Sequence, residues 1–188
     1  ANVGSGKSVT TGSLSLANNT GLASNYSISS TSASITQRPI NLSGSRTYDA
    51  TRTANGSDLS LANVVTGETL NMSGSGVLGS PAAGTQTVVN TNTLALADGS
   101  GSAANYSLVG GTLTMTILPR STSVTGSRSY DGTQTINPSD LTTFSNLASS
   151  DTLSFTGSGT VASASVGSGK AVTLGSLALD NSSGVGSN

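Results

Sequence analysis

At 188 residues the chain is long enough for one or two domains, yet only 8% of it is Asp, Glu, Lys or Arg, against about 25% in an average soluble domain. Seven basic and eight acidic residues give a net charge of −1 with no basic cluster, which excludes the electrostatic footprint of a DNA- or RNA-binding protein. Histidine and cysteine are absent, removing the usual general base and the commonest metal ligand, and no apolar run nears the roughly 18 residues of a membrane-spanning helix.

Taken in chain order, the apolar residues alternate. Residues 1–34 carry Leu14/Leu16 and an Asn25-Tyr26-Ser27 triplet. Ile40/Leu42, Leu70/Met72, Leu94/Leu96 and Leu113/Met115/Ile117 follow, and Leu177/Leu179 comes near the end. Period two in short runs, bounded by Gly, Ser, Asn and Pro, marks half-buried strands. Only Ser57-Asp58-Leu59 and Pro138-Ser139-Asp140-Leu141 suggest a helix, and then a single turn. The expectation is an all-β chain.

The chain also repeats. Ile35-Thr36-Gln37-Arg38 and Ser45-Arg46-Thr47-Tyr48-Asp49-Ala50 recur as Ile117-Leu118-Pro119-Arg120 and Ser127-Arg128-Ser129-Tyr130-Asp131-Gly132, 82 residues on. Thr69–Gly76 recurs as Thr152–Gly159, 83 on. Leu14–Asn18 and Asn25–Ser27 match Leu94–Asp98 and Asn105–Ser107. These spacings predict the C-terminal part of one repeat over 1–34, a complete repeat over 35–116, and a further repeat over 117–188, short of its own end. Each unit of about 80 residues is large enough to fold alone. Tandem β-sandwiches (immunoglobulin-like) or β-grasp-like domains, arranged end to end, are the architectures expected.

Charge repeats with the strands. Arg38, Arg46, Asp49, Asp58 and Asp98 recur as Arg120, Arg128, Asp131, Asp140 and Asp180; Glu68 falls opposite Asp151, and Lys7 opposite Lys170. Arg52 alone faces an uncharged residue, Gln134. Such register favours fixed turn contacts: an Asp after Tyr can accept backbone N–H groups of a tight turn, and an Arg46–Asp49 contact there could be bidentate. The competing reading makes Arg46, Tyr48, Asp49, Arg128, Tyr130 and Asp131 the lining of a ligand groove, with tyrosines stacking on sugars. In a chain so poor in aromatics, Tyr26, Tyr48, Tyr106 and Tyr130 are expected first as large core pieces.

Other motifs carry less. Ala1–Ser8 satisfies a loose phosphate-loop pattern, but strand-like spacing follows it where a helix is required. Its later copy, Val166–Ala171, ends in Ala171 rather than a metal-binding hydroxyl, and the middle copy has Gln86 in place of Lys. A turn followed by a strand is expected instead. A Lys–Asn crosslink is disfavoured because Gln86 replaces the lysine, so intact mass should equal the sequence mass. The carboxylates are isolated singles, unlike calcium loops, and serine without a base makes no nucleophile. No cofactor, metal or enzymatic activity is expected.

Ser127-Arg128-Ser129-Tyr130-Asp131-Gly132-Thr133, Asn2-Val3-Gly4-Ser5-Gly6-Lys7 and Asn25-Tyr26-Ser27 together resemble the Tyr-Asp-Gly repeat of bacterial surface proteins. Such repeats occur in long filamentous-haemagglutinin-like adhesins exported by two-partner secretion. The resemblance implies an extracellular or cell-surface location, a part in adhesion or biofilm formation, and neighbouring repeats as the first partners. Two roles then compete: a spacer that presents a distal binding region, or repeats that themselves bind polysaccharide weakly and in many copies. Ala50 stands where the Tyr-Asp-Gly pattern has glycine.

Overall fold

A computed structural model gives the fold and describes residues 1–149 and 151–181. The last residues of the expected third segment, 182–188, lie outside the described residues. Every regular element is a strand or a single 3-10 turn, so the chain is all-β as its alternation predicts.

β1 (Gly4–Ser8) pairs antiparallel with β2 (Ser32–Ile35). Then come β3 (Arg38–Pro39), β4 (Asn41–Thr47), β5 (Thr53–Asn55), β6 (Leu59–Ala62), β7 (Leu70–Ser73), β8 (Ser75–Leu78), β9 (Gly84–Asn90), β10 (Ala95–Asp98), β11 (Tyr106–Ser107) and β12 (Thr114–Leu118). They assemble one six-stranded sheet in the order β5-β8-β9-β12-β4-β6, with β7–β10 and β3–β11 as separate pairs. β12 runs antiparallel to β9 but parallel to β4, placing Ile117 beside Arg46. A parallel neighbour cannot be reached by a hairpin, so the chain must cross the whole repeat before β12 lies beside β4.

The core follows from the pattern. On β12 the threonines 114 and 116 alternate with Met115 and Ile117, which are 0% and 1% exposed. They meet Leu42, Leu78 and Val88 from the same sheet, Ile40 just before β4, and Leu70 and Leu94 from around the β7–β10 pair. Burying side chains of this size contributes about 1.5–3 kcal/mol each. The expected single turns are present as 3-10 turns at Gly56–Asp58 and Pro138–Asp140. Gly44 crosses the first turn so closely that a Cβ would sit 2.0 Å from the Asp58 carbonyl oxygen; at Gly126 the figure is 1.7 Å from that of Asp140. No side chain fits at either crossing.

The second repeat continues with β13 (Ser123–Gly126), β14 (Thr135–Ile136), β15 (Leu141–Ser145), β16 (Leu153–Thr156), β17 (Gly159–Val161), β18 (Val172–Thr173) and β19 (Ala178–Asn181). Its strands form a pair β13–β15, a triplet β14-β17-β18 and a pair β16–β19. Phe144 and Phe155 stack with ring centroids 5.3 Å apart, at positions held by Leu61 and Met72 in the first repeat.

Register also fixes the lysine question. Lys7 on β1 faces Ala33 on β2, and Gln86 on β9 faces Met115 on β12. Ala33 and Met115 are 82 residues apart, so Lys7 and Gln86 are counterparts, offset by the register shift between Gly4 and Lys7. Lys7 thus lies within a strand, a correction to the turn expected there. The next element is a single 3-10 turn at Ala23–Asn25, not the helix directly after the loop whose N-terminus a phosphate loop uses.

Candidate functional site

The six candidate residues fall into two groups. Arg46 and Asp49 form an ion pair, as do Arg128 and Asp131. The contact is not bidentate: Asp49 offers Arg46 one oxygen, and the second guanidinium nitrogen donates to the Thr51 carbonyl at 2.7 Å. Asp49 also accepts the Thr51 backbone N–H at 2.9 Å and its hydroxyl at 2.8 Å. In the second repeat Thr133 gives the same two bonds to Asp131, at 2.9 and 3.0 Å, and its carbonyl accepts from Arg128 at 2.5 Å. The turn residue between is left-handed in both, Ala50 at φ 64° and Gly132 at φ 77°.

The arrangement holds both carboxylates ionised. At Asp131 the bond from Arg128, then the Thr133 N–H, lowers the pKa to about 2. At Asp49 burial pushes the pKa up, but the Thr51 donors and Arg46 outweigh it and leave it below the ordinary value. With one oxygen of each aspartate bonded to the arginine and the threonine of its own loop, these four residues build the turn.

The tyrosines behave differently. Tyr48, just after β4, is 7% exposed and belongs to the core. Its N–H donates to the Leu118 carbonyl at 2.9 Å. Its hydroxyl donates to the carboxylate of Asp151, 103 residues further on, at 2.8 Å, and its carbonyl accepts from Arg120 at 3.3 Å. Ala148 completes the same buried cluster. Tyr48 is therefore held between one repeat and the next. Tyr106 is also buried; its hydroxyl donates to Glu68, the counterpart of Asp151, and accepts the Val65 N–H at 3.2 Å. The bond to Glu68, with burial, raises its pKa.

Tyr26 and Tyr130 correct the expectation that all four tyrosines are core, being 70% and 69% exposed. The reason is partnership. Tyr48 and Tyr130 share a local sequence, but Tyr48 has a neighbouring repeat packed over it and Tyr130 has open groove beside it.

Arginine and asparagine supply a contact that sequence reasoning missed. Arg120 donates to the Asn146 carbonyl at 2.7 Å and to its side-chain oxygen at 2.8 Å. Arg38 does the same to Asn63, at 2.6 and 2.7 Å. Both asparagines are left-handed, at φ 68° and 59°, a conformation that Asn tolerates better than most residues. Each returns its amide to a carbonyl, of Pro39 and of Ser121. The available signal was Asn following Leu61-Ala62 and again Phe144-Ser145, 83 residues apart.

Other repeated charges also serve structure. Asp98 accepts the Ala103 N–H at 2.7 Å, and Asn18 gives Ala23 the same bond at the same length. Arg52 and its uncharged counterpart Gln134 both hold a strand end, through the Leu78 and Ala162 carbonyls. Lys170 donates to the Ser163 carbonyl at 3.2 Å. Among the described residues no three His, Cys, Asp or Glu side chains gather as a metal site, and no helix is long and apolar enough to cross a membrane.

One concavity stands out in the second repeat, a groove of about 500 Å³ lined by Val124, Arg128, Tyr130, Ile136, Val161 and Val172 among others. A family model described as the YDG domain matches residues 34–115 and again 112–188, the two matches overlapping where β12 begins. No curated protein and no solved structure matches the chain.

Proposed function

Because the chain belongs to the YDG domain family, we propose that it is a run of spacer repeats in a large bacterial adhesin. In this reading the adhesin is filamentous-haemagglutinin-like, exported by two-partner secretion, and extracellular or held at the cell surface. The repeats, bounded near 35–116 and 117–188, present a distal binding region for adhesion or biofilm formation. One observation carries the reading: Tyr48, among the residues that a ligand groove would use, is buried between repeats with its hydroxyl on Asp151. The Arg-Asp pairs beside it are committed to turns. Residues suited to recognition thus join the chain to itself.

Of the two architectures expected, we propose the β-grasp-like one for the repeat. The first and last long strands of the repeat, β4 and β12, are parallel neighbours in mid-sheet. The β7–β10 pair covers the core where such a fold would carry a helix.

The second reading keeps the repeats as weak polysaccharide-binding modules, and it is favoured by the exposure of Tyr130 beside Arg128 in an open groove. Binding of the folded chain to a panel of bacterial and host polysaccharides decides between them. The spacer reading expects no saturable binding. Saturable binding that a folded Tyr130→Ala variant loses would replace it with the second.

A further inference from the structure

Asn55-Gly56 is the only Asn-Gly pair in the sequence. In an open chain such a pair is predisposed to modify itself. The Gly56 backbone nitrogen can attack the side-chain carbonyl carbon of Asn55, forming a C–N bond and closing a succinimide ring as ammonia leaves. Water then opens the ring at either carbonyl, giving aspartate or, with the main chain rerouted through the side chain, isoaspartate. Glycine favours the step because it has no Cβ to hinder the approach and the widest backbone freedom.

The folded repeat closes each route to that ring. Asn55 ends β5, opposite Ser75 of β8. It is extended, with ψ 140°, which holds the Gly56 nitrogen away from the Asn55 Cβ, beside which ring closure would need it. The Gly56 N–H donates to the Gly74 carbonyl at 2.8 Å, and Gly56 itself is buried. Even a Cβ there would stand 3.1 Å from the Met72 Cγ, so the backbone has little space to swing. The Asn55 amide donates to the Asp58 carboxylate at 3.2 Å. Turning Asn55 into the reactive geometry therefore breaks the bond to Gly74 and lifts Gly56 out of its packing. The second repeat supplies the contrast. Asn137 occupies the same place before its turn, but Pro138 follows it, and proline has no N–H to lose.

We propose that Asn55-Gly56 is a latent self-modification site, silent while β5 is paired with β8 and released when the first repeat opens. The product no longer fits the place it left. Isoaspartate adds a carbon to the main chain between β5 and the turn, shifting Gly56 from Gly74. Aspartate sets a second carboxylate beside Asp58, and like charges that close repel. Opening followed by ring closure is thus one-way, and the repeat keeps a chemical record of having unfolded. Its chemistry is independent of what the repeats bind.

The test incubates the whole chain at neutral pH with and without guanidinium chloride and locates deamidation by tandem mass spectrometry of proteolytic fragments. Asn55 should convert in denaturant at least about tenfold faster than in buffer, since an opening cost of only about 1.4 kcal/mol already holds the reactive population to a tenth. Asn137 should lag far behind Asn55 in denaturant. Met115→Ala, which loosens the sheet, should raise the rate in buffer toward the unfolded value, because a slow reaction follows the population of the open form; a variant that does not fold at all should simply reach that value. Equal rates at Asn55 in the two conditions, conversion of Asn137 matching it in denaturant, or a wild-type rate in Met115→Ala would each overturn the proposal. Once denaturant is removed, the unmodified chain should regain slow amide exchange at Gly56 and the isoaspartate form should not. Equal protection in both would overturn the one-way step.

Discussion

Removing the Tyr48 hydroxyl tests whether adjacent repeats are energetically joined. Tyr48→Phe keeps the buried ring and deletes the hydroxyl that bonds Asp151 at 2.8 Å. A hydrogen bond to a charged group contributes about 1.5–3 kcal/mol. Asp151 is half-buried, so water can reach the abandoned carboxylate, and the cost should fall near about 1–2 kcal/mol. For a cooperative chain of this length that lowers Tm by roughly 2–8 °C. Calorimetry on the wild type, Tyr48→Phe, Asp151→Asn and the double variant closes a thermodynamic cycle. A coupling near 1 kcal/mol is expected, with stability lost from both repeats, since arrays of this kind sum unit and interface terms. Additivity within about 0.5 kcal/mol, or a shift confined to the first repeat, would show that the bond joins nothing.

Three further outcomes follow from the same contacts. Ala50→Gly should stabilise by about 0.5–1 kcal/mol, because the relief of left-handed strain exceeds glycine's extra entropy, while Gly132→Ala should do the reverse; urea midpoints of the two variants check this, and a destabilising Ala50→Gly would contradict it. Met115→Ala leaves a cavity in the middle strand of the six-stranded sheet and should cost about 2–5 kcal/mol, read as early melting of the first repeat. Asp131 has its folded pKa lowered to about 2, beneath the roughly 3.9 of an unfolded Asp, so its contribution is complete above about pH 4 and is lost as pH falls toward 2. Asp131→Asn should therefore flatten the stability–pH curve over that window, and an unchanged acid limb would refute the turn assignment.

Much of this was legible in the chain. Leu113/Met115/Ile117 announces a strand, and the 82-residue echo of Arg46-Thr47-Tyr48-Asp49 announces a turn built twice. The 3-10 turns before Leu59 and Leu141 were readable because Asp stands at fixed offsets there. The position of β12 was not readable, since its parallel pairing with β4 joins residues about 70 apart and leaves no local signature. Nor were the burials of Tyr48 and Tyr130, whose flanking residues are nearly the same: exposure is set by what packs over each ring. Asn63 and Asn146 escaped notice because, in a chain crowded with asparagine, a left-handed one looks like any other.

The parallel pairing of β4 with β12 also decides how the repeat meets tension. The chain enters the large sheet at Asn41 and leaves it at Leu118, from adjacent strands that run the same way. A pull on the two ends drags these strands past each other along their length. Thr116, Ile117 and Leu118 are then loaded together against Ser45, Arg46 and Thr47, in shear rather than peeled apart one rung at a time. Because Tyr48 and Arg120 lie just beyond those rungs, the same pull reaches the seam with the following repeat at the point where that seam is best anchored.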